Sequence, residues 1–452
     1  MNRITRRRFV QALGAGGLTY AFGRTADTVW AQTAGTGGFS DYKALVCVFL
    51  FGGNDSWSMV VPRSAAEYAA YARSRQNLAI AQDQLLSVNA LNGGGVLYGM
   101  HPSMGGVASL FESARCAVIA NVGPLVAPTS KAQYQAKSVP LPPQLFSHND
   151  QQDQWHSLRG LNTAKSGWAG RVADVLASQV SSQQLALNVS LSGNTLFQAG
   201  TVATPYVMGA NGATIFSGQG TGAAGTARKA GFQNVVNAAY GSVHERGFAE
   251  IQKRAVRYAD TVNTALAAAP PLTTAFPANS QLATQLQTVA RMIAVRQRLG
   301  MSRQVFFVAT GGFDTHDDQL DDQPGLLGNV SASLEAFYKA TVELGVSSSV
   351  TTFTQSDFGR TLTSNGDGSD HAWGGVQLVI GDAVRGRTLY GRYPALEING
   401  PEDVGGGRFI PNVSSDQYAA TLAKWFGVAE AQLPTIAPSI GNFATRDLGF
   451  LI

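Results

Sequence analysis

Continuous apolar runs, rather than alternating ones, dominate the hydrophobic pattern of the chain. Lys43–Phe51 carries no polar residue after its lysine and ends at Gly52-Gly53, the mark of a strand covered on both faces. Cys116–Val122 is a second such run and ends at Gly123-Pro124; Leu185–Ser190 is a weaker third. Gln304–Thr310 ends at Gly311-Gly312, Ser349–Thr354 stops just before Gln355-Ser356-Asp357, and Val376–Ile380 adds one more. Helical periodicity fills the intervals: Arg228–Ala269 with an interruption, Ser280–Leu299, Ala332–Leu344 and an amphipathic Asp416–Phe426. Strands alternating with helices predict an α/β fold, a mainly parallel sheet sandwiched by helices.

Composition narrows the class. The 452 residues give room for a large core, and 44% hydrophobic against 14% charged residues excludes a disordered acidic or basic protein. Glycine, at 51 residues, is well above the usual ~7%, so many tight turns and close backbone approaches are expected. The segment 192–225 is rich in Gly, Ala, Thr and Ser and poor in charge, and predicts an insertion or lid within one domain spanning 32–452. No segment beyond the N-terminal region has eighteen consecutive apolar residues, so no stable membrane insertion is expected of the mature chain. Cys47 and Cys116 both fall in apolar runs; two buried core thiols are expected, with one disulfide as the alternative.

The first residues change the charge argument. Thr5-Arg6-Arg7-Arg8-Phe9-Val10 resembles the twin-arginine export signal, followed by a mild apolar stretch to Phe22 and a small residue, Ala31, at a cleavage point. Residues 1–31 are thus expected to be a signal peptide read by the twin-arginine translocase, and the mature protein to be periplasmic or secreted. The whole chain has 33 basic and 29 acidic residues, a net charge of +4. Residues 1–31 hold Arg3, Arg6, Arg7, Arg8, Arg24 and Asp27, so without them the net charge is zero. The basicity belongs to the address, and nothing argues for a nucleic-acid partner.

Chemistry gathers after the strands, where open α/β sheets collect ligands. The first strand delivers Asn54-Asp55-Ser56, the strand through Phe307 delivers Asp314-Thr315-His316, and the strand through Phe353 delivers Asp357-Phe358-Gly359-Arg360. Ser369-Asp370-His371 and Ser147-His148-Asn149-Asp150 are two further clusters. Each aspartate alone reads as a helix cap or turn residue. Repeated at successive strand ends, several carboxylates would repel one another unless a cation held them. Aspartate with neutral histidine suits zinc first, with manganese or iron beside it; oxygen-only sets lean to magnesium or calcium. The metal candidates are therefore Asp55, His148, Asp314, His316, Asp357, Asp370 and His371. Arg360 would either neutralise charge on a transferred group or pair with Asp357 or another nearby acid. His101 is expected to cap or pack locally, and His156 and His244 carry no signal.

Together, the export signal, Phe-Gly-Gly-Asn-Asp-Ser, Gly-Met-His-Pro-Ser, Gly-Gly-Phe-Asp-Thr-His, Ser-Asp-Phe-Gly-Arg-Thr, Asp-His-Ala-Trp-Gly-Gly and the stretch Asp416–Leu422 resemble the domain of unknown function 1501 family. That resemblance implies kinship with the alkaline phosphatase and sulfatase superfamily, hence an alkaline-phosphatase-like fold. It also implies one or two metals beside a nucleophile that opens phosphate or sulfate esters. Asp55 matches the superfamily's first aspartate, Asp314 and His316 its Asp/His pair with a shortened gap, and His371 its last histidine. Asp357 falls where an Asp-His pair begins, but Phe358 stands in place of the histidine, unless His148 or Asp370 substitutes. Ser147 has the order expected of the nucleophile, without a diagnostic motif.

Two functions follow as expectations: an exported metal-dependent ester hydrolase acting on a small-molecule or polymer-borne ester, and a non-catalytic, metal-stabilised envelope or binding protein on the same scaffold. A serine esterase ranks lower, since no Gly-x-Ser-x-Gly elbow is present. No nucleotide-binding glycine motif follows any strand.

Overall fold

The long apolar runs are strands, and their alternate residues feed two different cores. In this computed structural model, which describes residues 38–162, 165–213 and 222–452, the strands are β1 (Lys43–Leu50), β2 (Val60–Pro62), β3 (Leu86–Val88), β4 (Tyr98–Met100), β5 (Cys116–Gly123), β6 (Asn188–Ser190), β7 (Tyr206–Val207), β8 (Arg303–Thr310), β9 (Val350–Ser356), β10 (Gly375–Ile380), β11 (Leu389–Tyr390) and β12 (Val413–Ser414). The expected signal at 1–31 lies outside the described residues, as do residues 214–221 of the predicted insertion.

Nine of these strands form one sheet in the order β11-β5-β10-β9-β1-β8-β6-β7, with β12 beside β5. Every pairing in it is parallel except those of β10, which is antiparallel to both β5 and β9. The sheet is thus mainly parallel, as expected. A separate antiparallel sheet has the order β2-β4-β3.

On β1, Ala44, Val46, Val48 and Leu50 enter one core, and Leu45, Cys47 and Phe49 enter the other. The first core is closed by the helices Gly105–Glu112, Gln281–Ala294 and Gln319–Glu343, and the second by Trp168–Leu176 and Ser415–Phe426. This two-sided burial is why the central strands carry no solvent-facing polar alternation. Cys47 and Cys116 face opposite cores and are free, buried thiols.

The predicted interruption in Arg228–Ala269 falls between the helices Ala223–Val236 and Val243–Ala267. The helix predicted from Ala332 starts at Gln319, because Pro324 and Gly325 obscure its early periodicity. The described part of the segment 192–225 adds β7 to the sheet edge. No helix among the described residues is long and apolar enough to cross a membrane.

Candidate metal centre

Strand register brings the polar clusters level. Leu50 pairs with Thr310 on β8 and with Ser356 on β9, so the three strands end together. β10 runs the other way, so the loop before it, carrying Asp370 and His371, reaches the same edge; Arg360 and His371 pair as an isolated bridge there. The turn after β1 must be glycine. Gly52 has φ 113°, and a Cβ on it would stand 2.5 Å from the Asp314 nitrogen. At Gly53, with φ 79°, a Cβ would enter the Phe358 ring.

Asp314 is the centre of the arrangement. Its Oδ1 lies 3.1 Å from His316 Nε2 and 3.3 Å from His371 Nε2, and its Oδ2 lies 3.4 Å from His148 Nε2. The Nε2 atoms of His316 and His371 are only 2.9 Å apart. One ligand atom from each of His148, Asp314 and His371 falls within 4.8 Å of the others.

Each imidazole is anchored from behind through Nδ1. His148 Nδ1 is 2.7 Å from Asp357 Oδ2, His316 Nδ1 is 3.1 Å from Asp370 Oδ1, and His371 Nδ1 is 2.8 Å from the Phe146 carbonyl oxygen. All three anchors accept hydrogen bonds, so they place the proton on Nδ1 and leave Nε2 as a lone pair. The carbonyl of Phe146 is presented from a left-handed backbone, φ 74°, in the turn that leads into the helix His148–Ser157. Asp357 is fully buried, and its Oδ2 also accepts from Gln152 Nε2 at 3.0 Å and from the Gly52 nitrogen at 3.2 Å. Gln152 lies four residues after His148, on the same helix face, a spacing that could have flagged it.

Three lone pairs aimed at a carboxylate and at each other need a proton or a cation among them. The hydrogen bond to Asp357 pushes the His148 imidazole above its ordinary range, against the effect of burial. Burial pushes His371 down. Burial also pushes the Asp314 carboxyl up, but Arg360, with His148 and His316, outweighs it and holds Asp314 below the usual carboxylate range. His148 Nε2 is buried with no hydrogen-bond partner, and so is Asp357 Oδ1. Separations near 3 Å are those of donor atoms sharing one ion at about 2.0–2.1 Å, and imidazoles with a carboxylate suit zinc, manganese or iron better than magnesium or calcium. Phe358 packs on the rings of His148 and His371 at 4.8 and 4.7 Å and walls one side.

The remaining candidates stand differently. Asp357 and Asp370 lie behind histidines, as orienting carboxylates. Asp55 is drawn into a buried ion pair with Arg75, and also accepts from Ser58 Oγ at 2.6 Å, Gln319 Nε2 at 2.6 Å and the Trp57 nitrogen at 3.1 Å. It caps the short helix Ser56–Met59. Neither Arg75 nor Gln319 carried a signal in the sequence. Arg360 is 0% exposed and pairs with Asp314, not Asp357; it also donates to the carbonyls of Gly52, Phe313 and Ser369. Ser147 Oγ donates to Asp150 Oδ2 at 2.6 Å. His101 Nδ1 accepts from the Ser103 nitrogen, a local contact as expected, while His156 is buried against Phe49, Phe197 and Phe307.

The sequence profile of a family described as "Protein of unknown function (DUF1501)" matches residues 42–405. No curated protein matches the chain. The crystal structure of Ps i-CgsB in complex with k-i-k-neocarrahexaose is similar with a TM-score of 0.34 and 10% identity, over 88% of this chain and 77% of that one. The crystal structure of the lipoteichoic acid synthase LtaP from Listeria monocytogenes is similar with a TM-score of 0.34 and 8% identity, over 90% of this chain and 78% of that one. Function is therefore read from the side chains.

Proposed function

Since this chain belongs to the DUF1501 family of proteins of unknown function, we propose its activity from the site itself: an exported, metal-dependent hydrolase of phosphate or sulfate esters. The observation that carries the reading is the convergence of three Nδ1-anchored histidines on Asp314. The ester class is supported by the order of the strand-end motifs, which resembles the phosphatase and sulfatase superfamily. Export through the twin-arginine translocase to the periplasm or beyond rests on the first 31 residues.

A bound divalent ion, zinc first, supplies Lewis acidity and charge stabilisation at the ester. His148, Asp314 and His371 would hold it, with His316 beside them, and Asp357, Asp370 and the Phe146 carbonyl fix the angles of the imidazoles. By holding Nδ1–H of His148, Asp357 would leave its Nε2 to face such an ion, at the cost of the raised proton affinity of that imidazole. Ser147, at the start of the helix His148–Ser157, is the nucleophile of this reading, and Asp150 accepts its hydroxyl proton.

One set of observations favours a second reading, a metal-stabilised binding protein without catalysis. Asp55 and Arg360, which would serve a hydrolase, are both saturated by protein groups. Elemental analysis of protein purified after native export, with an ester panel before and after chelation, tests both. The hydrolase predicts one equivalent of metal and turnover that chelation abolishes. Full metal occupancy with no turnover leaves the binding protein, and folded, metal-free protein overturns both.

A further inference from the structure

The proposed hydrolase needs a cation to receive the substrate's anionic group, and the three guanidiniums around the centre are not equivalent. Arg75 is spent on Asp55, Ser58 and the carbonyls of Thr361 and Leu362. Arg360 is spent on Asp314 and on carbonyls of three loops. Both are fully buried. Arg408 is half-buried and uses only part of its fork: Nε donates to the His371 carbonyl at 2.9 Å and Nη1 to the Gly405 carbonyl at 3.1 Å. Among the described residues its Nη2 has no acceptor, and it pairs with no carboxylate.

Two contacts place Arg408 against the centre. It is tethered to the backbone of His371, and its guanidinium carbon lies 5.5 Å from the ring centroid of Phe146, whose carbonyl anchors the same histidine. It also acts electrostatically on Asp370, the carboxylate behind His316. The loop that presents it is tied down by hydrogen bonds. Gly405, Gly406 and Gly407 have φ 129°, 66° and 76°, and the buried Asp403 carboxylate accepts from the nitrogens of Gly405 and Gly407 at 2.7 and 2.9 Å. Thr363 Oγ1 ties the same loop to the segment after Arg360 through the Gly406 carbonyl, at 2.7 Å. A preorganised arginine with unused donors suits a tetrahedral oxyanion, to which planar N–H groups bond in pairs.

The geometry points to Arg408, not Arg360, as the residue that binds the oxyanion of the substrate at the rim of the metal centre. This inference rests on the hydrolase reading and names its anion-binding residue. Calorimetric titration of the zinc-loaded chain with inorganic phosphate and, separately, inorganic sulfate tests it, on the wild type, Arg408→Gln and Arg408→Lys. The expected result is that Arg408→Gln weakens the preferred anion about tenfold or more at unchanged zinc content, and that Arg408→Lys recovers part of the loss. The stronger of the two titrations identifies phosphate or sulfate as the substrate class. The inference is overturned if the wild type binds neither anion at millimolar concentration, or if Arg408→Gln binds as the wild type does. Loss of zinc together with the anion in Arg408→Gln, without rescue by lysine, would assign Arg408 to holding His371 and also overturn it. If the wild type takes no zinc yet binds an anion that Arg408→Gln loses, the metal reading fails and the arginine assignment stands.

Discussion

Two aspartates after neighbouring strands meet opposite fates. Asp55, after β1, is 0% exposed, and its charge is cancelled by Arg75 while Ser58, Gln319 and the Trp57 nitrogen satisfy its oxygens. Asp314, after β8, is half exposed and pairs with Arg360, yet three imidazole nitrogens still converge on it and one of them, His148 Nε2, has no hydrogen-bond partner. The first site is complete within the protein. The second is complete only with a proton or cation added. The difference teaches that a carboxylate at a strand end is not in itself a metal ligand; what decides is whether the fold already supplies its counter-charge.

The largest expected effect breaks the closed site. Arg75→Ala should cost about 3–5 kcal/mol in denaturant unfolding, since it strands a buried carboxylate, whereas Asp55→Asn with Arg75→Met should cost much less. A small loss in the single variant would mean that Asp55 has another partner. Next comes the open site: zinc at a hundred times its dissociation constant should stabilise the wild type by about 2.7 kcal/mol, read as a rise in Tm. Asp314→Ala should abolish that rise, and an unchanged response would place the ion elsewhere. Asp357→Asn removes the charge behind His148 and keeps its volume; zinc affinity should fall roughly 10–100-fold, measured by chelator competition.

A last test concerns another buried carboxylate, one with fewer partners than Asp55. Burial pushes Asp416 up to about 7, opposed by the Ser439 nitrogen, at 2.8 Å, the charge of Arg171 and the Asp416 backbone N–H. Between an ordinary value near 4 and about 7, the folded state keeps a proton that the unfolded chain has released. Stability from this group therefore falls as pH rises through that window and levels off above it. Asp416→Asn should flatten the pH–stability curve through that window. Parallel pH-stability curves for the two proteins would contradict this.

Much of the fold was legible. A strand buried on both faces must be apolar throughout, so β1, β5, β8, β9 and β10 stood out as runs, and strands alternating with helices implied the parallel sheet. Short strands such as β2, β3, β4 and β7 left no comparable mark, and Pro324 hid the start of the helix Gln319–Glu343. In the candidate site, the Asp and His clusters were visible because strand ends are where polar residues interrupt apolar runs.

The chain's local chemistry determined which residues stood at the sheet edge: it names Asp55, Asp314, Asp357, Arg360 and the three histidines without any coordinates. Only the tertiary structure divided them. Arg75 reaches Asp55 from a later helix, Gln319 from the start of the helix after β8, and the antiparallel course of β10 swings His371 onto Asp314. Such partners leave no trace in local patterning, because a side chain's charge is cancelled by whatever packing places within about 3 Å, irrespective of distance along the chain.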